Sequence, residues 1–193
     1  MLKKITTAVV LVTTCGLTSM AMAQSNGIKS DGFYVDANLG WGKVDVEVDS
    51  ATKDKNSGFA WNASLGYKFM PYLGAQVGYF GFPKVTHTGS VAEFSSNFLA
   101  VLAIKGILPL EDGFSLNVVT GPAWGHTKLS KDANLDSEAY KKGDHSKFTW
   151  YFGRGADYNI TENFYLGVGV NYSIKSKPVP AMYSVTGNIG YIF

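Results

Sequence analysis

Only one cysteine, Cys15, is present in 193 residues, and it falls within the apolar stretch 5–17 near the start. A lone thiol cannot close an intramolecular disulfide, so no covalent staple holds this chain. Long apolar runs are equally scarce. A helical membrane span needs about 20 consecutive apolar residues, and only residues 5–17 come near that length, which excludes a helical membrane bundle. Charge of one sign is also lacking, with 17 Lys and Arg against 15 Asp and Glu, so there is no electrostatic footprint for nucleic acid. What the chain does have is 22 Gly, 12 Phe, 11 Tyr and 4 Trp. Glycine weakens helices and aromatic rings suit a pleated surface, so the composition favours strands.

Lys3 and Lys4, the apolar stretch 5–17 and Ala21-Met22-Ala23 before Gln24 have the layout of a secretory signal peptide, residues 1–23, cleaved after Ala23. Cleavage discards Cys15 and two lysines, bringing basic and acidic residues to parity. Acylation of Cys15 is disfavoured, because the residue before a lipidated cysteine should be Gly, Ala or Ser and here it is Thr14. Residues 24–31 are expected to form a short periplasmic segment, and residues 32–193 the folded unit.

From Phe33 the chain alternates. Phe33, Val35, Ala37, Leu39 and Trp41 occupy one face, and Tyr34, Asp36, Asn38, Gly40 and Gly42 the other, the period-two signature of a strand. Residues 59–69, 164–172 and 183–193 repeat the pattern, and weaker versions cover 73–82, 98–108, 114–124 and 148–158. Eight strands of about 10 residues match the span of a transmembrane β-strand. A soluble sandwich would show Lys, Glu and Thr on its polar face. Here that face is Gly, Ser, Asn and single charges, which suits the filled interior of a narrow barrel. The expected fold is therefore all-β, an eight-stranded antiparallel up-and-down transmembrane β-barrel.

Connections alternate in length. Residues 70–72, 109–113 and 159–163 are short, whereas 45–57, 83–96 and 126–146 are long and 175–181 is intermediate. Short turns face the periplasm in outer-membrane barrels and long loops face outward, so both chain ends are expected in the periplasm. With that orientation Trp41, Trp61, Trp124 and Trp150 all fall on the apolar face at the outer end of their strands. Tyr79, Phe98, Tyr172 and Tyr183 complete an outer aromatic belt, as expected at a membrane interface. Phe33, Phe69, Phe114, Tyr158, Phe164 and Phe193 form the lower one. Arg154 is an anomaly, since it shares the lipid-facing parity of Trp150, Phe152 and Tyr158 and is expected to snorkel toward lipid phosphates.

The stretches 65–69 and 73–79, Lys105 with Leu108-Pro109-Leu110, and 153–158 followed by Asn159-Ile160-Thr161 together resemble the OmpA-like eight-stranded outer-membrane barrels of Gram-negative bacteria. The resemblance covers roughly residues 32–193. It implies an inward-pointing pair, Lys105 and Asp157. A counterpart of the peptidoglycan-binding domain of OmpA is missing after Phe193, so a free-standing barrel without a cell-wall tether is expected. The terminal Phe193, preceded at alternate positions by Tyr191 and Ile189, is similar to the carboxy-terminal signal read by the outer-membrane assembly machinery.

An eight-stranded interior is filled by side chains, and a general porin needs about 16 strands. Asp144, His145, Ser146 and His126 supply the residue types of a nucleophilic triad, a chemistry that requires nucleophile, base and orienting group in mutual reach. Asp144-His145-Ser146 are consecutive in an expected loop, however, so no fixed arrangement is foreseen. His87, His126 and His145 show no short metal-ligand spacing. The reading is a non-enzymatic barrel with no cofactor or metal, whose partners are outer-membrane lipids, the assembly machinery and a host or surface ligand met by the loops, and not nucleic acid. Mixed-sign loop residues such as Lys128, Lys131, Asp132, Asp136, Glu138, Lys141, Lys142 and Lys147 would carry such recognition. A narrow small-solute channel and a lipid-modifying enzyme are the alternatives.

Overall fold

The computed structural model describes residues 31–45, 57–86, 93–129, 143–176 and 179–193. The expected signal peptide, residues 1–23, together with residues 24–30, His87, and the loop charges Lys131, Asp132, Asp136, Glu138, Lys141 and Lys142, lies outside the described residues. Eight strands form the wall. They are β1 (Gly32–Asp45), β2 (Ser57–Met70), β3 (Leu73–Phe82, continued by the two-residue piece Val85–Thr86), β4 (Glu93–Pro109), β5 (Phe114–Leu129), β6 (Gly143–Asn159), β7 (Phe164–Ser173) and β8 (Ala181–Ile192). The only helical element among the described residues is the 3-10 turn Glu111–Gly113.

Each strand pairs antiparallel with its sequence neighbour. The barrel closes where β1 pairs with β8, from Tyr34 opposite Ile192 to Asp45 opposite Ala181, and the Phe193 N–H donates to the Phe33 carbonyl at 2.8 Å. Closure leaves no free edge, which hydrocarbon would not tolerate, since each unpaired backbone group there costs several kcal/mol.

Burial follows the period-two pattern with its usual sense reversed. Phe33, Val35, Leu39 and Trp41 on β1 are exposed, whereas Tyr34 and Asp36 are buried. On β2 the buried face is Ala60, Asn62, Ser64, Gly66 and Lys68. The outer wall is apolar and the interior polar, as a lipid-facing barrel requires. Two interior glycines make the filling fit. A Cβ on Gly66 would overlap the Tyr34 ring, and one on Gly190 would overlap the Tyr165 ring, so both tyrosines lie flat over glycine backbone inside the lumen.

Three strands run further than the alternation suggested. β4 starts at Glu93, β5 ends at Leu129 and β6 starts at Gly143, beyond the expected 98–108, 114–124 and 148–158. The β5–β6 ladder continues unbroken through Gly125 with Lys147, His126 with Ser146, Thr127 with His145, and Lys128 with Asp144. The cause is environmental. Above the lipid an outward face has no need of apolar side chains, so the hydrophobic alternation stops while the hydrogen-bond ladder goes on.

Candidate functional site

Two regions gather polar chemistry, the lumen and the outer wall near the long connections. In the lumen Lys105 on β4 and Asp157 on β6 are both buried, 5% and 6% exposed. Their partners differ from the expected mutual pair. Lys105 Nζ lies 3.6 Å from Asp36 Oδ2, and the other Asp36 oxygen accepts the Tyr165 hydroxyl. Asp157 instead accepts Asn117 Nδ2 at 2.7 Å on one oxygen and Asn188 Nδ2 at 2.8 Å on the other. The physical reason is satisfaction. Two amides already serve the Asp157 carboxylate, whereas Asp36 has the tyrosine hydroxyl and needs the ammonium to complete its neutralisation. Tyr34 and Tyr165 frame the lysine, with ring centroids 4.9 Å and 5.5 Å from Nζ, in cation–π range. The Tyr34 hydroxyl donates to Gln76 at 2.9 Å.

Above this network lie neutral amides and hydroxyls. Asn38 donates to Asn62 at 2.7 Å, and Tyr151 to Asn171 at 2.5 Å. Higher still, Phe80, Leu99, Val101, Ala103, Val119, Ala123 and Tyr151 form an apolar cluster. At the long-connection end Val44, Val179 and Met182 are fully buried, and the Val179 side chain reaches across β6 to Gly125 on β5, where a Cβ would overlap it. Among the described residues Lys105 borders two small cavities, of about 50 Å³ and about 20 Å³. Spaces of that size hold a few waters at most.

Trp41, Trp61, Tyr79, Trp124, Trp150 and Tyr183 are exposed on the outer wall, and Phe98 and Tyr172 are half-buried there. Neighbouring rings touch, as with Tyr79 and Phe98 at 5.4 Å, Tyr172 and Tyr183 at 4.8 Å, and Trp124 and Phe148 at 5.7 Å. Ile189, Tyr191 and Phe193 line the outer face of β8. Arg154 is exposed, with Val118 and Val170 opposite it on the adjoining strands.

Just above Trp124 and Phe148 the structure assembles what the sequence reading left scattered. His126 on β5 faces Ser146 on β6, with Nδ1 and Oγ sharing a hydrogen bond of 2.9 Å. The other ring nitrogen, Nε2, is 4.0 Å from Asp144 Oδ1. The expectation that Asp144 and Ser146 lie in a loop without fixed arrangement is thus overturned, because both are rungs of β6. His145 falls on the opposite parity, across from the buried Thr127. Among the described residues no group of three or more His, Cys, Asp or Glu is gathered for a metal ion.

Sequence reasoning missed Asp36 as the lysine's partner, although its place on the polar face of the first strand was legible. It also missed Lys68, a second buried lumen cation bordering the smaller cavity with Asp157. The His126–Ser146 contact carried no local signal, since 20 residues separate the two.

No curated protein matches the sequence significantly. Solved structures do match the fold. Neisserial surface protein A is 18% identical with a TM-score of 0.66, covering 86% of this chain and 100% of that one. The N-terminal β-barrel domain of Pseudomonas aeruginosa OprF is 14% identical with a TM-score of 0.57, over the same shares. Ail, the attachment invasion locus protein of Yersinia pestis, is 17% identical with a TM-score of 0.57, again over the same shares, and has also been solved in complex with the heparin analogue sucrose octasulfate. The family model for the outer membrane protein beta-barrel domain matches residues 8–193. With its closed eight-stranded wall, apolar outside and polar inside, this chain belongs to the outer-membrane β-barrel family and resides in the outer membrane.

Proposed function

We propose that the protein is a rigid outer-membrane anchor that presents its long connections to macromolecular ligands at the cell surface. The observation that carries this reading is the filled lumen. Ionic, amide and apolar layers follow one another from Ile192 to Val179, so the surface left for encounters with large molecules is the rim and the loops above it. In this reading the long connections point outward, the two aromatic belts mark the membrane interfaces, and Ile189, Tyr191 and Phe193 serve as the signal for the assembly machinery. The complex of Ail with a heparin analogue supports a surface ligand as the class of partner.

The test compares cells carrying the intact protein with cells carrying a variant in which residues 130–142 are replaced by a short Gly-Ser turn. Binding to immobilised heparin and to extracellular-matrix protein should fall to the level of a deletion strain, with surface abundance of the barrel unchanged. Undiminished binding, or stepwise ion conductance by the purified intact barrel in planar bilayers, would overturn the reading in favour of a conduit. Deletion of Phe193 tests the assembly signal. Lower outer-membrane abundance is expected, together with normal refolding in detergent.

A further inference from the structure

We propose that His126, Ser146 and Asp144 form an acyl-ester hydrolase site on the outer wall of the barrel, acting on lipids of the outer leaflet. The inference is separate from ligand binding by the loops and rests only on the long connections facing outward. Two independent observations carry it.

The first is the constellation itself. Nucleophile and base share a 2.9 Å hydrogen bond, and a carboxylate lies 4.0 Å from the far ring nitrogen. That is the arrangement of nucleophile, base and orienting group that activates a hydroxyl, allowing for the looser distances of an unliganded site. The three residues lie on two rungs of a continuous ladder, His126 with Ser146 and Lys128 with Asp144, so backbone pairing sets their placement side by side on the outer face.

The second observation is depth. Going down the same outward face, the rung below His126 and Ser146 is Trp124 opposite Phe148, whose rings meet edge to face at 5.7 Å, and Phe98 flanks His126 from β4. Aromatic side chains of this kind sit at the level of lipid headgroups. Ester bonds of a lipid lie at that same boundary, with acyl chains below them and polar groups above. A lipid resting against Trp124, Phe148 and Phe98 therefore brings its ester carbonyl to the height of Ser146. The substrate class is an acyl ester of a membrane lipid, either a glycerophospholipid or an acylated glucosamine lipid.

The chemistry balances with water as the only co-reactant. Ser146 Oγ attacks the ester carbonyl carbon while His126 takes the hydroxyl proton. The tetrahedral adduct collapses, the alcohol oxygen leaves with the proton from His126, and Ser146 is left acylated. Water then adds to the acyl carbon and gives a proton to His126. A second collapse releases the fatty acid and returns that proton to Ser146. Asp144 is a positioning residue that orients the imidazole and stabilises its charged form.

The experiment uses the full barrel refolded in mixed micelles. A long-chain fluorophosphonate should add covalently to the peptide containing Ser146, as read by mass spectrometry. Fatty-acid release should be measured separately from phosphatidylglycerol and from lipopolysaccharide, which distinguishes the two lipid sources. Ser146→Ala and His126→Asn should lower release by ~10³-fold or more, with the heat-dependent gel mobility of the folded barrel retained. Asp144→Asn should lower it by roughly 10-fold or more and Asp144→Glu should restore it, a rescue that a merely structural role does not give. No adduct on the folded wild-type barrel, or release that Ser146→Ala leaves unchanged, would overturn the proposal and leave the three residues as a surface hydrogen-bond cluster.

Discussion

The half of the lumen nearest the short turns is packed with Asp36, Lys68, Lys105 and Asp157 together with Tyr34 and Tyr165, whereas the half nearest the long connections is packed with Phe80, Leu99, Val101, Val119 and Ala123. The two fillings obey different rules. A buried ion pair stabilises little against an apolar replacement, yet breaking it by one partner is costly because the other charge is stranded. An apolar cluster responds instead to volume, methylene by methylene. The lower half is therefore intolerant of single changes and tolerant of matched double ones, while the upper half tolerates any change that conserves volume.

The largest effect expected from this contrast is at Lys105. Lys105→Met should destabilise the barrel by about 3–5 kcal/mol, as is typical for one partner of a buried pair, and combining it with Asp36→Leu should recover most of that loss. Unfolding in urea from lipid vesicles measures both. The same cycle run with Asp157 should show the weaker coupling, because Asn117 and Asn188 hold that carboxylate; additive costs for Lys105 and Asp36 would break the comparison. In the upper half, Leu99→Ala should cost about 2–5 kcal/mol through the cavity it leaves, whereas Leu99→Met should stay below about 1.5 kcal/mol. A larger loss for the methionine variant would mean that the cluster is held by shape and not by volume.

The smallest effects sharpen the boundary between the halves. Asn188→Ala removes one donor from the Asp157 carboxylate, and a hydrogen bond to a charged group is worth about 1.5–3 kcal/mol. Asn38→Ala removes a neutral amide pair with Asn62 and should cost only about 0.5–1.5 kcal/mol. Equal losses at the two asparagines would show that charge in the lower half matters less than its partners suggest.

Much of the wall was legible because lipid imposes the rule. Hydrocarbon demands apolar residues at every second position, so Phe33 through Trp41 or Phe59 through Phe69 reveal strand, face and depth together. Legibility ended wherever the lipid did. Above Trp124 and Phe148 the outward positions become His126, Lys128, Ser146 and Asp144, and nothing in their polarity announces that the ladder continues. The lumen was half legible. The parity of Lys105 and Asp157 was readable because a lone charge in hydrocarbon is penalised, but which anion Lys105 chooses depends on where two asparagines, 40 and 31 residues from Asp157, place their amides.

The seam between β1 and β8 has a consequence for the speed of folding. Seven of the eight pairings join strands adjacent in sequence and can zip as hairpins, but the eighth brings Tyr34 to Ile192, almost the whole chain apart. Contacts of such separation lose the most loop entropy before they return any energy, and they set slow rates. Seven local steps therefore wait on one global one, and until Phe193 reaches Phe33 the sheet keeps two raw edges open to foreign strands. A circular permutant opened at the 130–142 connection, with the present ends joined, turns that eighth pairing into a hairpin and makes the β5–β6 ladder the closing step, so it should reach the same barrel with the last-formed seam moved to Phe114–Leu129 against Gly143–Asn159.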